Sequence, residues 1–267
     1  MTKRTQLKNH YFSLTEINQI MTAMRNLSLI EIRKVSQYIS AQSKLLKTIE
    51  DVRDDFFSFY PPPETSTPES PKLYILLGSQ RGFCGSFNEG ILSQFKDDNA
   101  GLIIVGEKLR NQLADHPHIV AAIDGPNVAE DIQAVILSLT HVLATHPIGD
   151  WCIIYNERVD TLCTPQTLRP LSKLYEVDQR LSSSEPLLYL SKDEFITQFI
   201  DQYLFALLNQ IFYQSFSAEN NSRFNHLSGA ISRLEKKCEH LKSRLNVLRQ
   251  EEITEEIETI LLGFQPE

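Results

Sequence analysis

Residues 231–248 read Ile231-Ser-Arg-Leu234-Glu-Lys-Lys-Cys238-Glu-His-Leu241-Lys-Ser-Arg-Leu245-Asn-Val-Leu248. Apolar side chains recur here at alternating steps of three and four. Such a heptad stripe keeps one face of a helix turned toward a partner helix. A second stripe lies near the other end of the chain: Val35, Tyr38, Gln42, Leu45, Ile49, Val52, Phe56 and Phe59, with Gln42 the one polar member. Upstream of it, Ile17, Ile20, Met24 and Leu27 step the same way, but out of phase, so a shift of the seam is expected across 28–34. Two seams at opposite ends of one chain are expected to pair with each other, antiparallel.

The placement of helix interrupters agrees. All 12 prolines except Pro266 lie between Pro61 and Pro186, and Gly229 is the only glycine in residues 1–60 and 187–262. Glycine and proline are the strongest breakers of helices. Two long helices follow, from about Ser13 to Tyr60 and from about Lys192 to Leu262. At 1.5 Å per residue they would span ~70 and ~105 Å. A 267-residue globule is only about 40 Å across, so helices of that length are expected to project from any globular part.

The middle alternates strand and helix. Strands are expected at Lys72–Leu77, Leu102–Val105, Ile119–Ile123 and Trp151–Asn156, with further strand at Thr164–Leu171 and Pro186–Leu190. Helices are expected at Phe87–Phe95, Glu107–Ala114 and Val128–Ala144. Continuous apolar strands between helices imply a sheet covered on both faces and at least partly parallel. The fold class is therefore α/β: a long antiparallel coiled coil of the two terminal helices plus a Rossmann-like α/β domain. The expected division is a coiled-coil helix at 1–60, a proline-rich linker at 61–72, the α/β domain at 73–190 and a second coiled-coil helix at 191–267.

Composition narrows the function. The 34 acids outnumber the 26 bases, giving a net charge of -8, and general nucleic-acid binders carry a basic surplus. No run approaches the ~18 apolar residues of a membrane span. Cys84, Cys152, Cys163 and Cys238 form no CxxC pair, and no metal site is expected. Cys84 stands near a helix N-terminus that would lower a thiol pKa. The adjacent pairs Asp97-Asp98 and Glu130-Asp131 read as solvated surface.

Three blocks carry the chemistry. The first is Ile20-Met21-Thr22-Ala23-Met24, followed by Ile32-Arg33-Lys34. The second, Gly78-Ser79-Gln80-Arg81-Gly82-Phe83-Cys84-Gly85, follows a strand and opens a helix, where phosphate loops occur. Its spacing is wrong for GxxxxGK[ST] and for GxGxxG. A structural turn and a phosphate-binding loop both stay open, with Arg81 exposed or paired locally. The third block is Asn246-Val-Leu-Arg249-Gln250-Glu-Glu-Ile253-Thr254-Glu-Glu256-Ile257-Glu-Thr-Ile260-Leu-Leu-Gly263. Its acids crowd a helix C-terminus, against the preference set by the helix dipole.

Together these blocks resemble the gamma subunit of F-type ATP synthases, the rotating central-stalk subunit. The family's ITKAM…MRK, S-[DT]-R-G-L-C-G-x-[LY]-N and NxxRQxxITxE[IL]xEIxxG segments match them in order. The resemblance runs from about residue 5 across the chain, which implies a bacterial rather than an organelle-targeted member. It implies a shaft inside a hexamer of alpha and beta subunits, with the epsilon subunit and the ion-driven membrane ring at its base. It places ATP, ADP and Mg in partner subunits, with no cofactor or catalytic residue here and no nucleic acid. The location implied is peripheral, at the cytoplasmic face of the bacterial inner membrane. Arg249, Gln250, Thr254 and Glu256 match positions that meet a beta-subunit loop. Met24 matches a position facing the beta subunit's acidic hinge region, and Arg33 and Lys34 are the implied electrostatic grips on the same regions. Gln19 and Thr22 replace the lysines usual in the family, and Ser28 an alanine. Two other classes stay open on the residues alone: a coiled-coil adaptor, and an α/β enzyme using the Gly78–Gly85 loop for a phosphate ligand.

Overall fold

The computed structural model describes residues 3–61, 72–96, 99–148, 151–159, 162–176 and 187–263. Most of the expected linker and the Asp97-Asp98 pair lie outside them. The chain forms two compact units: residues 1–27 with 224–267, and residues 28–223.

The first unit consists of the start of α1 (Lys3–Phe59) and the end of α6 (Lys192–Gly263). In α6, Phe224, Leu227, Ile231, Leu234, Cys238, Leu241, Leu245 and Leu248 are buried or half-buried while their neighbours are mostly exposed. The heptad read from residues 231–248 is therefore the packed seam, extended by two residues upstream. Arg4 pairs with Glu252, which sets the start of α1 against the far end of α6, antiparallel. On α1 the inward residues of this unit are Leu7, Tyr11, Leu14, Asn18, Met21 and Arg25. The helix thus begins at Lys3, ten residues before the expected Ser13, because α6 supplies a seam for that first stretch.

In the second unit α1 continues in the same rhythm: Ser28, Ile32, Val35, Ile39, Gln42, Leu46, Ile49, Arg53 and Phe56 are buried or half-buried. The seam of α1 therefore runs unshifted. The expected phase change across 28–34 does not occur, and six of the twelve positions in the two expected α1 runs face outward. Tyr38, Leu45 and Val52 are exposed, as are Ile17, Ile20 and Leu27. The apolar pattern failed because polar residues occupy inward positions. Arg53, for example, pairs with Asp54 at 2.7 Å and donates to the carbonyl of Lys173 at 3.0 Å.

The α/β part of this unit is a five-stranded sheet of order β3-β2-β1-β4-β5. The strands are β1 (Leu73–Leu77), β2 (Gly101–Val105), β3 (Ile119–Ile123), β4 (Trp151–Val159) and β5 (Leu162–Leu168). β1 pairs in parallel with β2 and β4, β2 with β3, and β5 closes one edge antiparallel to β4. α2 (Phe87–Gln94) and α3 (Glu107–Gln112) supply residues to one face, with Tyr74, Leu76, Leu102 and Ile104. α4 (Ile132–Leu143) covers the other face, where Leu73, Ile75 and Leu77 meet Leu207, Ile211 and Phe212 of α6. Parallel crossovers on both faces explain the continuous apolar strands. This is the Rossmann-like domain expected from the pattern.

Three details differ from the sequence reading. Residues 187–190 are not strand. They lead into α6 through a reciprocal cap, in which Ser191 Oγ accepts from the Glu194 N–H at 3.4 Å and Glu194 Oε2 accepts from the Ser191 N–H at 3.3 Å. Residues 128–131 are not α-helical: a 3₁₀ turn at Ala129–Asp131 precedes α4. A short α5 (Pro170–Tyr175) follows β5. Glu130 is exposed, as its surface reading has it, and Asp131 is half-buried; both have partners. Glu130 pairs with Lys34 at 3.1 Å, and Asp131 accepts from the N–H groups of Asn127 and Val128.

Candidate functional site

The loop after β1 sits where doubly wound sheets bind phosphates. β1 ends at Leu77, and Gly78 must be glycine: a Cβ there would lie 2.3 Å from Cβ of Leu109. The Gly78 N–H donates to the Val105 carbonyl at 2.8 Å. The Ser79 N–H donates to Asn88 Oδ1 at 2.9 Å, and Gln80 Oε1 accepts from the N–H groups of Gly125 and Glu107 at 2.7 and 3.0 Å. Arg81 Nε donates to Asn127 Oδ1 at 2.9 Å, so this arginine is paired locally.

The anion that the loop faces is one of the chain's own. Glu219 of α6 is buried, and the backbone N–H groups of Arg81 and Gln80 lie within hydrogen-bonding reach of its carboxylate. Arg223, one turn further along α6, pairs with Glu219 and is itself buried. Its guanidinium also donates to the carbonyls of Gly82 at 3.1 Å and Arg81 at 3.3 Å. Burial raises the Glu219 carboxyl above the usual carboxylate range, against the pull of Arg223. Cys84 lies beneath, its thiol donating to the Arg81 carbonyl at 3.3 Å. Burial and the nearby Glu219 charge push that thiol up to about 12. The shift is upward, not the lowering that a helix N-terminus would give, and burial is its largest cause. Glu219 therefore occupies the place where the loop's N–H groups point, and the Cys84 thiol is buried beside it. It is a structural tie.

The other sequence-derived site residues are spread along the two long helices. In the first unit, Arg249, Gln250, Thr254 and Glu256 are all exposed. Thr254 Oγ1 donates back to the Gln250 carbonyl at 2.9 Å. Among the described side chains of α6, Glu252 is the last half-buried one; from Ile253 through Leu261 every one is exposed, with Ile260 at 58% and Leu261 at 66%. Met24 is half-buried. Beside it on α1, Ile17, Ile20 and Leu27 are exposed by 45% or more. In the second unit Arg33 is exposed, whereas Lys34 is held by Glu31 and Glu130, each at 3.1 Å. Those two hydrogen bonds raise its pKa. Pattern reasoning missed Glu219 and Arg223, although an acid and a base four apart on one helix carry that signal. Among the described residues no group of three or more His, Cys, Asp or Glu could hold a metal ion. No described helix is long and apolar enough to cross a membrane.

A family model described as ATP synthase matches residues 3–265. The chain belongs to the ATP synthase gamma family. Curated relatives of similar length include an ATP synthase gamma chain of Clostridium botulinum (strain Okra / Type B1), 25% identical over 95% of this chain and 94% of the relative. One from Rickettsia felis is 26% identical over 99% of both. Among solved structures, the rotor of the Euglena gracilis mitochondrial ATP synthase matches with a TM-score of 0.67 at 14% identity, covering 94% of this chain and 98% of that one. The central stalk and c-ring structure from Tetrahymena thermophila matches at 0.55 and 20% identity, over 79% of this chain and 99% of that one. These two likenesses concern the fold. The gamma family's long terminal helices and parallel-rich sheet are those described above.

Proposed function

We propose that this chain is the turning shaft of an F-type ATP synthase, coupling ion flow through a membrane ring to ATP synthesis or hydrolysis in a surrounding hexamer of alpha and beta subunits. The observation that carries the reading is the apolar surface of the first unit that the chain itself leaves uncovered. Ile17, Ile20 and Leu27 on α1, and Ile253, Ile257, Ile260 and Leu261 on α6, are all exposed. A run of large apolar side chains of that length marks a partner surface. Within it Arg249, Gln250, Thr254 and Glu256 offer polar grips. Arg249 carries the planar fork that binds a carboxylate bidentately, which lysine does not reproduce. Met24 offers an uncharged, flexible side chain that slides past an acidic region without locking to it. Of the basic pair, Arg33 remains the outward charge, while Lys34 is already engaged within the chain.

In this reading the chain binds no nucleotide, Mg or other cofactor and carries no catalytic residue. Its base meets an epsilon subunit and the membrane ring, at the cytoplasmic face of a bacterial inner membrane. The test is co-expression with the alpha and beta subunits encoded in the same genome, followed by an ATPase assay with and without this chain. Steady turnover that requires the chain supports the shaft. A ring that forms and turns over equally well without it refutes the reading.

A further inference from the structure

Between Tyr203 and Arg223, α6 is buried on nearly every side, and most of that burial is apolar. Apolar contact is non-directional: it holds a helix against a sheet but fixes its rotation about its own axis poorly. Polar ties among the described residues supply direction, three of them to different elements. Gln133 Nε2 of α4 donates to Asn209 Oδ1 at 2.6 Å, and Gln214 Nε2 donates to Glu157 Oε1 of β4 at 2.9 Å. The third tie, to the loop after β1, is the one built from a buried ion pair. It is also reciprocal. Glu219 faces the N–H groups of Gln80 and Arg81, while Arg223 donates to the carbonyls of Arg81 and Gly82. The loop is bent to meet them, with Phe83 at a φ of 65°, a conformation that costs energy for a bulky residue.

We propose that Glu219 and Arg223 are positioning residues for rotary coupling: they key the α/β domain to α6 at one rotational setting, so that torque on the domain passes into the helix. The inference rests on the shaft reading above. A lysine at 223 keeps the charge but lacks the fork that reaches Glu219 and two carbonyls together. Reversing the pair keeps the attraction but sets like dipoles of the loop against each charge.

The experiment uses the complete complex in sealed vesicles, comparing the unmutated chain with Arg223→Lys, Glu219→Gln and the reversed pair Glu219→Arg/Arg223→Glu. ATP hydrolysis and ATP-driven ion uptake are recorded together, and maleimide labelling of the Cys84 peptide is followed by mass spectrometry. Release of the loop is expected to speed Cys84 labelling by about a hundredfold, through lost burial and a thiol pKa nearer normal. All three variants are expected to retain hydrolysis and to lose much of the ion uptake per ATP. An unchanged ratio overturns the proposal, with or without faster labelling. So does a parallel loss of hydrolysis and uptake, which is a merely structural effect, and so does recovery of coupling in the reversed pair. Failure of the unmutated chain to support ATP-driven uptake sinks the shaft reading itself, and is seen in a separate arm.

Discussion

Leu45 and Leu46 are adjacent on α1, and the two ways of reading the helix disagree about them. The apolar stripe selects Leu45; the structure buries Leu46, which is 3% exposed and belongs to the main core, and leaves Leu45 46% exposed. Leu46→Ala removes the three buried carbons beyond Cβ and leaves a cavity, which costs about 2–5 kcal/mol. Leu45→Ala forfeits a half-covered surface and gains slightly in helix propensity, for a net cost below about 1 kcal/mol. At ~2–4 °C per kcal/mol for a chain of this size, Leu46→Ala lowers the melting temperature by about 4–20 °C and Leu45→Ala by about 4 °C or less. Thermal melts of the purified chain followed by circular dichroism at 222 nm measure both. Equal shifts, or a larger one for Leu45→Ala, refute the seam described here and restore the out-of-phase stripe.

Three further outcomes are expected. Gly106 has a φ of 105°, and a Cβ there would lie 2.6 Å from the Gly78 carbonyl oxygen; Gly106→Ala therefore destabilises by about 3 kcal/mol or more, and a urea midpoint equal to the unmutated chain's counts against it. Burial holds the Cys84 thiol at about 12 against an ordinary 9.0. Its folded pKa is raised, so the stability tied to it is whole below pH 9 and is lost as pH climbs toward 12. Cys84→Ala flattens the fall of the urea midpoint across that window, and superimposable pH profiles contradict the assignment. In the assembled complex Arg249→Ala lowers ATPase turnover about tenfold, the worth of a lost charge-assisted hydrogen bond, while yield of the complex holds; unaltered turnover removes Arg249 from the grip.

Much of this was legible in the residues. The α6 seam from Ile231 to Leu248 was legible because those residues face inward within the chain itself, and the strand and helix order of the α/β domain followed from apolar runs and glycines. The α1 seam was only half legible. Ser28, Gln42 and Arg53 face inward, whereas Tyr38, Leu45 and Val52 do not. Hydrophobic spacing records burial in whatever assembly the chain joins, so a helix with an outer apolar face gives two superposed stripes. The loop after β1 was placed correctly, but its role was hidden: Glu219 and Arg223 lie more than 130 residues away in sequence from Cys84 and Gly82. The two carboxylates that hold Lys34 are not legible as a pair in the sequence, since Glu31 is on α1 and Glu130 lies in the turn before α4.

The central claim is rotation, and rotation can be watched. Leu137 on α4 is 72% exposed, so Leu137→Cys gives a handle for a bead or gold particle on the α/β domain. With the alpha–beta hexamer fixed to glass by its own tags, the account predicts that added ATP drives the handle round in one direction through successive full turns. A hexamer that hydrolyses ATP at its normal rate while the bound chain stays still, or turns at random, contradicts it.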